Sequence, residues 1–382
     1  MRMRWLRCAI VLLLILFPFG GQAQAPARME ALVAAFQAWM EEHDVKKAVL
    51  VMRSAEPATV VEIGFGGQDQ SQRVLLASLS KAITGQCVGE LIAAGRLRFE
   101  TTVGDALRPF FATHGEPADL RIKSVTVAQL LEHRAGFAVA PRDLMTPTAM
   151  ELLQKRKSPA TASLQELLAA TLTVSLQSAP GEAFRYSNIG YLVLGAIIEV
   201  VTGQDYERFC ARTVLQPAGI KEGGLDPDWR SFSAFGGWRL SGAEYLRAMA
   251  SRRFPACRET LVTGRDPSPS PVTDWNEQQR CERPMLGTMP PGPDDPAPFY
   301  WLGRNAALAK RAVNVTSDDA LYLRRWYRYW HTGSWGVAPD TIGMLAVEHE
   351  SGLSWFVWFT PRPSQAARDR LFDALLDAAK DK

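Results

Sequence analysis

The chain has 382 residues, enough to bury a large core in one domain or two intertwined ones. Apolar residues make up 47% and charged residues 22%, the balance of an ordinary globular protein. The formal charge is +3, and residues 1–25 hold three arginines and no acidic residue, so the remainder is near neutral (+3 − 3 = 0). No basic patch or lysine run stands out, which removes the electrostatic support for nucleic-acid binding.

Residues 1–25 read as a signal peptide. MRMRWLR is basic, AIVLLLILFPF is an apolar run too short to span a bilayer comfortably, and GQAQA supplies small residues for cleavage near Ala23 or Ala25. The expectation is a secreted or periplasmic protein with no stable membrane anchor after cleavage. An uncleaved N-terminal anchor is the alternative. Residues 28–43 then show helical periodicity, and KAVLVMR (47–53) and ATVVEIGFGG (58–67) read as strands split by Glu56-Pro57. Helical patterns dominate from 78 to 250, clearest in SLQELLAATL (163–172) and YLVLGAIIEVV (191–201). Residues 251–298 are crowded with proline, glycine and polar residues and read as a surface insertion. Strand patterns return in LRRWYRYWHT, TIGMLAVEHE and LSWFVWFTP, and QAARDRLFDALLDAAK (365–380) closes the chain as an amphipathic helix.

Strands at both ends with helices between them argue an α+β fold. The simplest assembly is one antiparallel sheet built from both chain ends and flanked by the terminal helices. Its sheet-and-helix domain would be discontinuous, 26–77 plus 299–382, with a mainly helical domain inserted at 78–250 and the Pro-rich insertion at 251–298. Four cysteines follow the signal: Cys87, Cys210, Cys257 and Cys281. Cys257 and Cys281 flank the proline-rich loop and are the expected disulfide, while Cys87 and Cys210 sit in apolar helical patterns and read as buried free thiols. The five histidines are scattered, and neither C-x-x-C nor H-E-x-x-H occurs, so no metal or other cofactor is expected.

Three short motifs carry chemistry. Ser78 and Lys81 stand three apart at the start of a helical pattern and so share a face. A serine there has free backbone N–H groups and the positive end of the helix dipole beside it. Burial among Leu76, Leu79, Ile83 and Val88 would make the lysine a base; exposed, it is an ordinary helix lysine. Tyr186-Ser187-Asn188 is the chain's only Y-x-N. The tyrosine could share a proton with Ser78 and Lys81, and the asparagine could orient a substrate amide. The bland reading is a capped helix start. His331-Thr332-Gly333, followed by Ser334, ends an aromatic strand, where glycine would let a substrate backbone approach.

S-x-x-K, Y-x-N and [KH]-[TS]-G in this order resemble the motif set of the serine β-lactamase and penicillin-binding-protein superfamily. The branch most resembled holds class C β-lactamases, D-alanyl-D-alanine carboxypeptidases and related esterases. RVLLASLSKAITGQCVGELIAAGRLRFETTV, VTVAQLLEHRAGF, APGEAFRYSNIGYLVLGAIIEVVTGQDYERF and FGGWRLSGAEYLRAM are also similar to that family. The resemblance covers about 45–250 and 326–362 and is poor over 251–325.

The resemblance implies a β-lactamase/transpeptidase-like fold and an acyl-enzyme on Ser78. Lys81 and Tyr186 would share its proton, the backbone N–H groups of Ser78 and Ser334 would hold the oxyanion, and Asn188 would orient the scissile group. Thr332, His331 and Gly333 would line the far end of a small-molecule or peptide substrate. Histidine at 331 is a departure, because many β-lactamases place a lysine there as a permanent cation. It favours D-amino-acid peptides or esters over lactams, with a true β-lactamase as one alternative and a non-catalytic penicillin-binding or sensor protein as another. A Ser-His-Asp hydrolase is disfavoured because G-x-S-x-G is missing. Tyr300, Trp301, Trp326, Tyr327, Tyr329, Trp330 and Trp335 either line an apolar pocket or fill strand faces. The oligomeric state is not legible.

Overall fold

The computed structural model describes residues 24–54, 58–137, 147–156, 162–183, 185–250, 327–336, 341–349 and 352–380. The chain starts with helix α1 (Gln24–Glu42), then strands β1 (Lys47–Ser54), β2 (Thr59–Phe65) and the two-residue β3 (Val74–Leu75). A 3-10 turn, Ala77–Leu79, leads into α2 (Ser80–Ala93). Short helices α3 (Val103–Ala106), α4 (Arg108–His114), α5 (Val127–Leu131), α6 (Pro147–Arg156) and α7 (Leu164–Thr171) precede the long α8 (Asn188–Thr202) and α9 (Tyr206–Cys210). Strands β4 (Gly224–Leu225) and β5 (Trp238–Leu240) and helix α10 (Gly242–Ala250) follow. The last elements are β6 (Tyr327–Trp335), β7 (Ile342–His349), β8 (Leu353–Thr360) and α11 (Gln365–Ala379).

The main sheet has the order β2-β1-β8-β7-β6, antiparallel throughout. Strands from the two chain ends meet at its centre, where Leu50 lies opposite Val357. Side chains alternate between its faces. Leu50, Met52, Val347, Trp355 and Val357 pack against Leu32, Phe36 and Trp39 of α1 and Leu371 and Leu375 of α11. Val49, Val51, Met344, Ala346 and Phe356 join the core of the helical region. Both faces are therefore covered, as the two hydrophobic runs at the chain ends require. This is the expected sheet, built from both ends and flanked by the terminal helices. Among the described residues no helix is long and apolar enough to cross a membrane.

Local signals set the helix ends. Thr126 with Gln129 and Ser163 with Glu166 form capping boxes at α5 and α7. Gly203, in the left-handed region at φ 68°, stops α8.

A small second sheet, ordered β3-β5-β4, joins β3 to two strands within 78–250. Its strands have two or three residues, too few for a period-2 pattern to register. Cys87 and Cys210 are not free thiols: their sulfurs are bonded, joining α2 to α9. Both are fully buried, as read, but which helix faces which is a tertiary fact. Cys257, Cys281, Glu56-Pro57, residues 1–23 and the 251–298 insertion lie outside the described residues.

Candidate active site

The serine stands on a tightly held turn. Leu76 N–H donates to the Trp238 carbonyl at 2.8 Å, and Trp238 N–H donates to Ser80 Oγ at 3.1 Å. Strand β5 thus grips both sides of Ser78, and Ser80 has a structural role. Ala77, between them, is forced to φ 45°, a left-handed conformation that costs a non-glycine residue of order 1–3 kcal/mol and persists only where its surroundings hold it. Thr84 Oγ1, one turn beyond Lys81, donates to the Ala234 carbonyl at 2.6 Å and tightens the same junction.

Lys81 is fully buried. Its Nζ donates to Asn188 Oδ1 at 2.5 Å, to the Phe235 carbonyl at 3.1 Å and to Ser78 Oγ at 3.3 Å. Three N–H groups meet three acceptors, which offsets the cost of burial. The rings of Tyr186, Phe235 and Tyr191 stand 4.8, 5.6 and 5.7 Å from Nζ, within cation–π range. Leu76, Leu79, Ile83 and Val88 are buried as expected. The groups that enclose the nitrogen itself, however, are aromatic and arrive from other segments.

Helix α8 delivers Asn188. Ser187 is its N-cap, accepting from Gly190 N–H at 3.4 Å, so the side chain one residue further reaches Lys81. Within this motif Ser187 takes the capping role and Asn188 the contact with Lys81. His133 clamps the segment from the other side. Its carbonyl accepts from Arg185 N–H at 2.7 Å and its Nδ1 accepts from Ser187 N–H at 3.1 Å. That bond assigns its proton to Nε2. The His133 ring lies 4.4 Å from Tyr186 and 5.1 Å from Tyr191. His133 was not singled out among the chemical residues; its signal was its place in LLEHRAGF, inside a quoted family segment.

The third motif lies within β6, which continues through it to Trp335 instead of ending at His331. A Cβ on Gly333 would meet the Leu76 carbonyl at 2.8 Å and Met344 Cε at 3.2 Å, so only glycine lets this strand lie against the serine turn. His331 is 1% exposed, and its Nδ1 donates to the Thr332 carbonyl at 2.6 Å. Burial, reinforced by the nearby charge of Lys81, pushes His331 down to about 3, so it is neutral at physiological pH. Thr332 is half-buried and Ser334 exposed.

Of the aromatic residues expected near this motif, Trp335 has a described side chain, packed edge-on against Trp229 at 4.3 Å. Tyr300, Trp301 and Trp326 and the side chains of Tyr327, Tyr329 and Trp330 lie outside the described residues. The partners of Trp335 come instead from the 229–235 segment, which carried no motif. Among the described residues no group of three or more His, Cys, Asp or Glu is assembled for a metal ion.

The structure thus brings Ser78 Oγ and Asn188 Oδ1 within hydrogen-bonding reach of Lys81 Nζ, holds the Tyr186 ring 4.8 Å from the same nitrogen, and sets Gly333 against the turn that carries Ser78. The Beta-lactamase family model matches residues 35–380. Protein flp of Staphylococcus aureus (strain N315) is 27% identical over 190 residues, covering 46% of this chain and 35% of that protein. This chain therefore spans only about a third of that relative's length. Among solved structures, EstCE1, described as a hydrolase with promiscuous acyltransferase activity, has a TM-score of 0.58 at 17% identity, covering 93% of this chain and 98% of that one. A β-lactamase/D-alanine carboxypeptidase from Pseudomonas syringae has a TM-score of 0.57 at 13% identity, covering 93% and 100%. The motifs, the two-ended sheet and the match along nearly all of the chain place this protein in the Beta-lactamase family.

Proposed function

We propose that the protein is a serine hydrolase that forms an acyl-enzyme on Ser78 and acts on esters or D-amino-acid peptides. The observation that carries this reading is the set of Lys81 contacts. A neutral amine has two N–H donors and one lone pair. As an ammonium Nζ donates to all three acceptors; once it gives up a proton, Asn188 Oδ1 and the Phe235 carbonyl keep its two donors and its lone pair faces the Ser78 hydroxyl at 3.3 Å. Ser78 Oγ bonds to the substrate carbonyl carbon, and its proton passes to the Lys81–Tyr186 pair. That pair returns the proton to the leaving alkoxide or amine, and water then releases the acyl group. The backbone N–H groups of Ser78 and Ser334 receive the oxyanion, each worth about 3–4 kcal/mol in sites of this kind.

The neutral His331 separates the substrate classes. A lactam or a peptide with a free C-terminus presents a carboxylate beyond the scissile bond, and no permanent cation stands at this position to receive it. Esters, amides and peptides without that carboxylate fit better. The likenesses to EstCE1 and to the Pseudomonas syringae β-lactamase/D-alanine carboxypeptidase lend support to the ester and D-amino-acid readings.

The test is turnover of a p-nitrophenyl ester, a C-terminally amidated D-Ala-D-Ala peptide and a fluorescent penicillin, each beside Ser78→Ala. Ester or peptide turnover that vanishes in the variant is expected. Rapid lactam turnover would install the β-lactamase alternative, and neither turnover nor Ser78-dependent labelling would install the binding-protein one. Export belongs to the same proposal, on the pattern of residues 1–25. A mature N-terminus between residues 24 and 28 in a periplasmic or culture fraction is expected, and an intact Met1 there contradicts it.

A further inference from the structure

We propose that Phe235, Phe232, Trp229 and Trp335 form an acyl subsite, and that the substrate carries an uncharged aromatic or bulky branched group on the acyl side of its reacting carbonyl. This rests on the serine-hydrolase reading and names its substrate class.

The four rings form a continuous run. Phe235 lies against Phe232 at 5.1 Å, Phe232 stacks on Trp229 at 5.4 Å, and Trp229 meets Trp335 at 4.3 Å. Trp335 returns to Phe232 at 6.3 Å. The inner end is anchored at the chemistry, because the Phe235 carbonyl accepts from Lys81 Nζ at 3.1 Å. The outer end reaches water: Trp335 is 37% exposed, whereas Phe235 and Phe232 are buried. An indole held in the open at the end of a buried aromatic row presents apolar area that a bound group can cover.

Chain direction sets the side. Thr332 precedes Ser334 on β6 and, on the hydrolase reading, takes the leaving-group end of the site. Trp335 follows Ser334, the proposed oxyanion donor, and so stands on the opposite, acyl side. In and beside the helical turn Pro227–Phe232, which carries Trp229 and Phe232, Asp226 pairs with Arg239 at 3.0 Å, Arg230 pairs with Glu207 at 2.9 Å, and Asp228 is exposed to water. Neither ion pair is offered to the rings, and an apolar acyl group is the chemistry that remains.

The experiment compares p-nitrophenyl phenylacetate with p-nitrophenyl acetate, which share a leaving group, in the full chain. The ratio of their kcat/KM values is independent of how much enzyme is folded. Wild type is expected to favour the phenylacetate by about tenfold or more, the size of discrimination a hydrophobic pocket supplies. Trp335→Ala and Trp229→Ala bring the ratio towards one, and Trp335→Phe restores most of it. Trp335 is partly exposed, so its truncation carries the test should Trp229→Ala not fold. Ser78-dependent turnover with one ratio in wild type and both alanine variants would overturn the subsite while leaving the hydrolase reading intact. Turnover that persists in Ser78→Ala would overturn the hydrolase reading itself; a wild type inert towards both esters would overturn the subsite, and the hydrolase reading with it only if the peptide is also untouched and Ser78 takes no label.

Discussion

Nζ of Lys81 donates to Oδ1 of Asn188 at 2.5 Å, although the two residues lie 107 positions apart. This contact ties α2 to the start of α8 and holds Nζ beside Ser78. Asn188→Ala leaves a buried N–H unpaired, at a cost of about 1–3 kcal/mol. We expect kcat/KM to fall by about 10- to 100-fold. Asn188→Asp places a carboxylate against the nitrogen, favours the ammonium and slows acylation further. Steady-state kinetics on a p-nitrophenyl ester reads both, and an Asn188→Asp enzyme faster than wild type would refute the assignment.

Lys81→Met keeps the volume of the side chain and removes the base. The acylation burst should slow by about 10²- to 10⁴-fold, the usual contribution of a positioned base. Lys81→Arg should not rescue it, because a guanidinium stays protonated. Stopped-flow release of p-nitrophenol makes the comparison.

Gly333→Ala would drive a methyl into the Leu76 carbonyl, 2.8 Å from the ideal Cβ. Strand β6 must then back away from the serine turn. A stability loss of about 1–3 kcal/mol is expected from the crowding, with a larger fractional loss of kcat, since the proposed oxyanion donor Ser334 moves with the strand. Denaturant melts and kinetics on the same preparation separate the two effects.

His331 and His349 are pushed down to about 3 and about 4, with burial the first cause in each. Unfolding raises both towards the ordinary histidine value of 6.5. The unfolded chain therefore binds protons that the folded chain refuses. Their contribution is fully present above pH 6.5 and is lost as pH falls towards 4, at up to about 1.4 kcal/mol per pH unit for each histidine. Glu199, raised by burial, works in the opposite sense. The informative quantity is thus the difference between wild type and His331→Gln, whose acid slope should be shallower. Parallel slopes in urea melts between pH 7 and 4.5 would contradict the neutral, buried His331.

The Cys87–Cys210 bond closes a loop of 123 residues between α2 and α9. The chain-entropy relation gives about 5 kcal/mol for a loop of this length. Cys87→Ala with Cys210→Ala should lower the melting temperature by several degrees, and reductant should do the same to wild type but not to the double variant. Differential scanning calorimetry with and without reductant checks this.

The sequence was legible where signals are local. Strands β1 and β8 and helices α8 and α11 follow from unbroken apolar runs or clear helical periodicity; two short motifs named Ser78, Tyr186 and Asn188, which meet at Lys81, and a third named Gly333, which lies against the serine turn. Contacts across the chain were not legible. The Phe235 carbonyl reaches Lys81 over 154 positions, and His133 holds Ser187 over 54. Neither residue type announces such a role. The ring partners of Trp335 come from a segment read only as a family likeness, and the facing of Cys87 and Cys210 depends on how two helices pack. Strands β3, β4 and β5 are too short to show a period, although β5 holds the serine turn in place.

Ser78 is proposed to become acylated with the Lys81–Tyr186 pair as its proton acceptor. Mass spectrometry of the protein quenched during turnover of p-nitrophenyl phenylacetate tests it most directly. A phenylacetyl adduct on the peptide containing Ser78, missing in Ser78→Ala and slow to form in Lys81→Met, is the predicted result. An adduct on another residue, or full turnover by Ser78→Ala, would contradict it.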